Sequence, residues 1–129
     1  MERALKLLET IYRPLFAYEF EEYLHGVGNT IGDGNHLLLM MPIGDARKRM
    51  ESLCAFAREK GSACYCVYMD APTEDPFSVS LLTSGNDYID VLSYLLIGQV
   101  LSALLSEFCG YDIDRPRFDG FSTMMQTKA

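Results

Sequence analysis

The sequence predicts an α/β domain, a three-layer α/β/α sandwich whose sheet is mainly parallel. Two apolar runs, Leu37 to Met41 and Ala63 to Met69, have the length and continuity of strands that are covered on both faces. Segments with helical periodicity alternate with these runs, and the connections are long enough for right-handed crossovers. The length of 129 residues and the 49% hydrophobic content are sufficient for one compact unit with a packed core.

The N-terminal region is predicted to be helical, with irregular connections. Apolar residues recur at helical spacing from Glu2 to Arg13, and Pro14 stops this helix. We expect Leu15 to Tyr18 to be extended and Glu19 to Leu24 to form one or two helical turns. The glycine-rich segment Gly26 to Gly34 then predicts an irregular loop.

The central region supplies the second helix and the third strand. Asp45 follows the first apolar run and is placed to cap a helix that Gly61 ends. Phe77 to Leu82 alternates between apolar and polar residues, which indicates a third strand after a proline-containing loop.

A long apolar helix is predicted from Gly85 to Phe108. Ser84 and Asp87 have the spacing of a capping box at its start. Its apolar residues lie nearly all round, which predicts burial against the sheet and against a second surface such as a partner subunit. The stretch from Val91 to Leu105 is interrupted by polar residues and falls short of a membrane span, so we expect a buried helix and a homodimer.

Charge and cysteine content narrow the class of protein. The net charge of −7 argues against nucleic-acid binding, because such proteins present basic patches. The cysteines Cys54, Cys64, Cys66 and Cys109 lack the CxxC pairs or histidine spacing of a zinc site. We therefore expect reduced, buried thiols, no metal site and a cytoplasmic protein that does not bind a membrane.

Three segments are similar to sequences that occur together in one family. Ala4 to Tyr12 (ALKLLETIY) is similar to ALKLKEISY, and Ala17 to Val27 (AYEFEEYLHGV) resembles AYEAEELKHGP. Ile97 to Arg117 resembles a closing helix and a GxDxDxPR tail. Because their order and spacing agree, the chain resembles the second sugar isomerase (SIS) domain of glucosamine-fructose-6-phosphate aminotransferase and of the fructosamine-6-phosphate deglycases.

The resemblance implies a flavodoxin-like or Rossmann-like SIS fold that acts on phosphosugars. It implies that residues 1–129 form a single partial SIS domain, N-terminally truncated, equivalent to the C-terminal half of a protein with two SIS domains. In such proteins a first SIS domain carries the Ser/Thr-rich loop that binds the phosphate group of the sugar. We expect that missing domain to be a partner and the isolated chain to have little activity.

The resemblance also assigns roles to three residues. Glu9 matches the glutamate that moves a proton at C1 or C2 of the open-chain sugar, and His25 matches a histidine that serves in ring opening or proton shuttling in the site of a neighbouring subunit. Lys6 matches a lysine that could contact substrate oxygens. The reaction would need no metal, nucleotide or other cofactor. From the residues alone, Glu9 could instead pair with Lys6 or Arg13 on its helix, and His25 could cap a helix end. We interpret His36, which no motif matches, as structural.

The sequence after the DRPR segment differs from that of the synthases in this family. After the DRPR segment those enzymes continue with a lysine that can form a Schiff base with a ketose, whereas Phe118 to Phe121 stand here, and Lys128 is not assigned that role. This difference favours a deglycase, or a related isomerase or deaminase, acting on a ketose or fructosamine 6-phosphate. The alternative is a non-catalytic sugar-phosphate-binding or dimerisation module.

Overall fold

The computed structural model describes Leu7 and residues 9–69, 72–112, 114–115 and 117–126. The chain divides into two compact units. One unit comprises residues 17–96, and the other combines residues 1–16 with residues 97–129.

The unit of residues 17–96 contains a parallel sheet. Its strands are β1 (His36–Met40), β2 (Ala63–Tyr68) and β3 (Ser78–Ser80), in the order β1-β2-β3. In the register of β1 on β2, Leu37 aligns with Cys64 and Leu39 with Cys66. Both strand pairs of the described residues are parallel, so the predicted α/β class and the parallel sheet are confirmed. The three predicted strands are present, with their ends shifted by no more than two residues.

Two helices and a 3-10 helix accompany this sheet. They are α1 (Phe20–Leu24), the 3-10 helix Val27–Thr30 and α2 (Ala46–Glu59). Gly61 has a φ of 88° and follows α2 in the left-handed conformation typical of a helix end, as predicted. The predicted side-chain cap at Asp45 is wrong, because Asp45 already has helical dihedral angles and its carboxylate makes no capping hydrogen bond.

The core of this unit lies between α2 and one face of the sheet. Side chains alternate across a strand, so β1 directs Leu37 and Met41 to this face while β2 directs Cys64 and Cys66 to it. The opposing face of α2 presents buried residues at helical spacing, and Cys54 and Ala57 complete the cluster. Burial of each large apolar side chain here contributes roughly 1.5–3 kcal/mol of transfer free energy.

Three of the four cysteines are buried free thiols, as predicted: Cys54, Cys64 and Cys66. The hydrogen bond with Cys64 lowers the pKa of Cys66 to about 6. The same contact raises the pKa of Cys64, and burial raises the pKa of Cys54. Cys109 is exposed, contrary to the prediction, because it follows the last residue of the long C-terminal helix.

That helix, α3 (Asp87–Phe108), has 22 residues and is therefore about 33 Å long. Its first turn is capped by Asn86, whose Oδ1 accepts the backbone N–H of Tyr88 at 3.0 Å. Ser84 supports this cap rather than providing it: its Oγ accepts the backbone N–H of Asn86 at 3.1 Å, and the Asp90 carboxylate accepts the N–H of Ser84 at 2.7 Å. The helix thus begins two residues later than the sequence indicated.

Residues Tyr88–Phe108 of α3 are long and apolar enough to cross a membrane, with a mean hydropathy of 1.7. This corrects the expectation that the apolar stretch is too short, because the helix extends beyond Val91 to Leu105. The core helix of a soluble protein meets the same criterion of length and composition.

Contrary to the expectation of a buried helix, α3 leaves apolar side chains exposed. The exposed residues recur every three or four positions and so form a stripe along one side of the helix. We call these residues the α3 stripe: Ile89, Leu92, Leu96, Val100 and Leu104. Each of these residues is more than half exposed.

Candidate functional site

Glu9 lies on a short helical segment of the unit formed by residues 1–16 and 97–129. Residues 7 and 9–11 are helical, and the Leu7 side chain is buried. The hydroxyl groups of Thr10 and Ser102, a buried residue of α3, are 2.7 Å apart. These contacts turn one side of the segment inward, and Glu9 is exposed on another side. The Glu9 residue therefore lies at the surface of its unit.

The segment that carries Glu9 ends at Tyr12, which has a φ of 51°. This left-handed conformation costs a non-glycine residue about 1–2 kcal/mol, so it needs support from its surroundings. The Tyr12 hydroxyl donates to the Arg115 carbonyl at 3.4 Å, and Arg117 Nη1 donates to the Tyr12 carbonyl at 3.3 Å. The Arg117 guanidinium also lies 5.2 Å from the Tyr12 ring centroid. The DRPR tail thus holds the end of the Glu9 helix.

His25 lies at the C-terminal end of α1, in the unit of residues 17–96. Its backbone N–H donates to the carbonyls of Glu21 and Glu22, both at 3.2 Å. The imidazole is exposed, and the 3-10 helix follows after Gly26. The backbone of His25 therefore ends the helix while its side chain is presented to solvent.

The loop after His25 is anchored to the body of its unit. The Oγ of Ser62, a buried residue, accepts the backbone N–H of Gly32 at 2.9 Å and donates to the Gly32 carbonyl at 2.8 Å. The side-chain amide of Asn35 donates to the Thr30 carbonyl. On the other side of His25, the partly buried Tyr23 packs against the core cluster. His25 is consequently held on a fixed loop despite its exposure.

An arginine of α2 joins the two helices beside His25. Arg49 donates to both carboxylate oxygens of Glu21 at 2.5 and 3.2 Å, and its guanidinium lies 5.2 Å from the Phe20 ring centroid. These hydrogen bonds lower the pKa of Glu21. The pair is exposed, so it orients α1 more than it stabilises the fold.

An apolar groove lies between α1 and α2. Its walls are aromatic and aliphatic, with Arg49 supplying the charge; the lining residues are Phe20, Leu24, Arg49, Ser52, Leu53 and Phe56. The sequence did not single out this groove or Arg49, because Glu21 and Arg49 are 28 positions apart and no local pattern links them.

The two predicted catalytic residues belong to different compact units, Glu9 to one and His25 to the other. Each is accessible within its own unit, and their cooperation stays a prediction. Lys6 lies outside the described residues. His36, interpreted as structural, stacks on the ring of Tyr65 with centroids 6.4 Å apart.

No protein-family model matches the sequence, and no curated protein matches it either. Solved structures do match. A protein described as a phosphosugar isomerase from Clostridium difficile 630 superimposes with a TM-score of 0.80 and 24% identity over 99% of this chain. The C-terminal domain of glucosamine-fructose-6-phosphate aminotransferase from Francisella tularensis gives a TM-score of 0.73 and 21% identity over 89% of it.

A third structure, glucosamine-6-phosphate deaminase from Thermotoga maritima, gives a TM-score of 0.68 and 21% identity over 90% of this chain. The chain spans only about a third of each of these proteins, between 33% and 36% of their length. At these identities the similarity concerns the fold. Together with the parallel sheet and its flanking helices, it shows that the chain has the α/β fold of an SIS-type domain.

Proposed function

We propose that the chain is the C-terminal SIS domain of a cytoplasmic enzyme of the phosphosugar isomerase or deglycase type. Its substrate would be a ketose or fructosamine 6-phosphate. The observation that carries this proposal is the structural match over 99% of the chain to a protein described as a phosphosugar isomerase. Two further matching structures bear names that refer to amino sugar phosphates.

In this proposal Glu9 is the general base. It would remove a proton from C1 or C2 of the open-chain sugar and return it to the neighbouring carbon, through an enediol or enaminol. Such a transfer needs an accessible carboxylate on a rigid support. The exposure of Glu9 and the anchoring of its helix by Thr10 and Tyr12 are consistent with that role.

His25 would be the general acid that opens the sugar ring. An imidazole titrates near neutral pH and can give up or accept a proton under cellular conditions. The exposed side chain on an anchored loop would suit a residue that enters the active site of a second subunit. The complete site would thus combine this domain with a phosphate-binding SIS domain and a homodimeric partner, and Lys6 would contact substrate oxygens.

The test is turnover by the complete protein, assayed against fructose 6-phosphate, glucosamine 6-phosphate and fructosamine 6-phosphates. We expect Glu9→Gln to lower kcat by about 10²- to 10⁴-fold, the usual contribution of a general base. Glu107→Gln is the matched control, since Glu107 is an exposed helical glutamate of the same unit. Equal turnover by wild-type protein and the Glu9 variant would refute the catalytic role.

The general-acid role of His25 is tested by measuring turnover of the His25→Gln variant, with His36→Gln as the control. Both histidines are exposed residues of the unit 17–96. We expect only His25→Gln to lower turnover, by about 10²-fold or more. A larger loss in the His36 variant would contradict the assignment.

A second candidate function is a non-catalytic sugar-phosphate-binding or dimerisation module. The exposed α3 stripe favours it, because apolar stripes of this kind are commonly covered by another protein surface. This candidate predicts binding of sugar phosphates without turnover by the complete protein, and no effect of Glu9→Gln on that binding.

A further inference from the structure

Three thiols from two elements meet inside the unit of residues 17–96. Cys54 comes from α2, and Cys64 and Cys66 come from β2. Cys64 and Cys66 are two positions apart on a strand, so they lie on the same face and both point toward α2. The three sulfur atoms all lie within 4.8 Å of one another, and those of Cys54 and Cys66 are 3.3 Å apart.

These thiols are held rigidly and away from water. Their exposed fractions are 5% for Cys54, 2% for Cys64 and 3% for Cys66. The strand pairing of β1 with β2 fixes two of them, and packing of Ala57 against the same core fixes the helix that carries the third. Because these thiols are already held in place, they would lose little conformational freedom on binding a cation. Their burial would also slow release of the bound cation to solvent.

The number and type of donors indicate which ions would fit. Metal–thiolate bonds are about 2.3 Å long, so three sulfurs around a three-coordinate ion lie about 4.0 Å apart. The observed separations, 3.3 Å for one pair and no more than 4.8 Å for any, bracket that value. Among the described residues, no histidine or carboxylate joins the group as a fourth ligand. Structural Zn²⁺ sites have four ligands, whereas soft sulfur donors also select Cu(I).

We propose that Cys54, Cys64 and Cys66 form a three-sulfur site for a soft, low-coordinate metal ion of the Cu(I) class. Binding forms three metal–sulfur bonds, and each thiol releases its proton to solvent as its bond forms. The metal keeps its oxidation state, so no oxidant or reductant is required. The proposal departs from the sequence-based expectation of no metal site.

A neighbouring cation reduces the electrostatic cost of the bound thiolates. Arg58 of α2 donates from Nε and Nη2 to the Cys64 carbonyl at 3.0 and 2.8 Å. The guanidinium is thereby fixed at the edge of the cluster. It also pairs with Asp75 at 2.8 Å, which keeps its position when the cysteines are protonated.

The experiment titrates the reduced 129-residue chain, under anaerobic conditions, with Cu(I) held by a colorimetric chelator that competes for it. We expect one Cu(I) per chain, and X-ray absorption showing a shell of three sulfurs. Cys54→Ser and Cys66→Ser should each weaken binding by about 100-fold or more, beyond the effect of losing a supporting residue. The control Cys109→Ser, which changes an exposed thiol outside the cluster, should bind as wild type.

Absence of Cu(I) binding by the folded wild-type chain would overturn the proposal, as would binding of Zn²⁺ in preference to Cu(I). A nitrogen or oxygen shell in the absorption spectrum would also refute it, and this measurement on wild-type protein does not depend on the folding of any variant. Circular dichroism of each metal-free variant establishes that a loss of binding reflects a lost ligand.

Discussion

Among the residues that the structure describes, the long helices α2 and α3 differ in how much of their apolar surface is covered. In α2 the buried residues Leu53, Cys54 and Ala57 occupy one face, and the charged residues of the helix lie outside that face. In α3 a stripe of apolar side chains remains exposed along the whole helix. The helical periodicity of α2 thus matches its burial, whereas α3 carries apolar residues nearly all round and leaves a stripe of them exposed.

The largest expected contrast between the helices is in stability. Leu53 of α2 is 8% exposed and Leu96 of α3 is 56% exposed. We expect Leu53→Ala to lower the free energy of unfolding by about 2–5 kcal/mol, because it removes buried methyl groups and leaves a cavity. Leu96→Ala should change it by less than about 1 kcal/mol. Urea denaturation at low protein concentration measures both, and equal losses would show that α3 is packed as tightly as α2.

A second prediction concerns association through the α3 stripe. If the stripe is the surface that joins two subunits, Leu92→Glu and Leu96→Glu place charges in that interface and should weaken association by about tenfold or more, equivalent to 1.4 kcal/mol. Sedimentation velocity over a range of concentrations measures the effect. Ala55→Glu is the control, because Ala55 is an exposed residue of α2. A monomeric wild-type chain at high concentration would refute the interface.

The smallest predicted effect tests how α2 is tied to the sheet. Hydrogen bonds from Ser78 and Arg58 hold the pKa of Asp75 at about 2, below the usual value of 3.8 for an aspartate side chain. A depressed carboxyl pKa stabilises the fold above pH 3.8, and this contribution is lost as the pH falls toward 2.

Asp75→Asn should therefore lower Tm at neutral pH by no more than about 4 °C, since the pair is partly exposed. The difference from wild type should shrink as the pH falls through the same range. Thermal unfolding followed by circular dichroism at several pH values measures it. A difference that is constant from pH 7 to pH 2 would show that the Asp75 charge has no part in anchoring α2.

The difference between α2 and α3 also separates the parts of the fold that the sequence predicted correctly from those that it did not. Continuous apolar runs and flanking turn residues sufficed to predict β1, β2 and α2, because their burial is set by local periodicity. The cap at Asp45 was wrong, since a capping residue must leave the helical conformation and the sequence does not specify where this occurs. The exposure of α3 was also missed, because sequence shows that a helix is apolar and not whether its own chain covers it.

The candidate sites were predictable to different degrees. The similarity of three segments identified Glu9 and His25, and both are accessible in the structure. It did not indicate that the DRPR tail supports Tyr12, a contact between residues more than 100 positions apart. The cysteine cluster was also missed, because the helix that brings Cys54 to Cys66 is aligned with the strand by tertiary packing and not by spacing in the sequence.

The proposed proton transfer is tested most directly by hydrogen exchange into the substrate. The complete protein is incubated with fructose 6-phosphate in D₂O, and deuterium at C1 and C2 is followed by NMR. The mechanism predicts incorporation by wild-type protein and by Glu107→Gln, and a rate lower by about 10²-fold or more in Glu9→Gln. Incorporation at the wild-type rate in the Glu9 variant would contradict it.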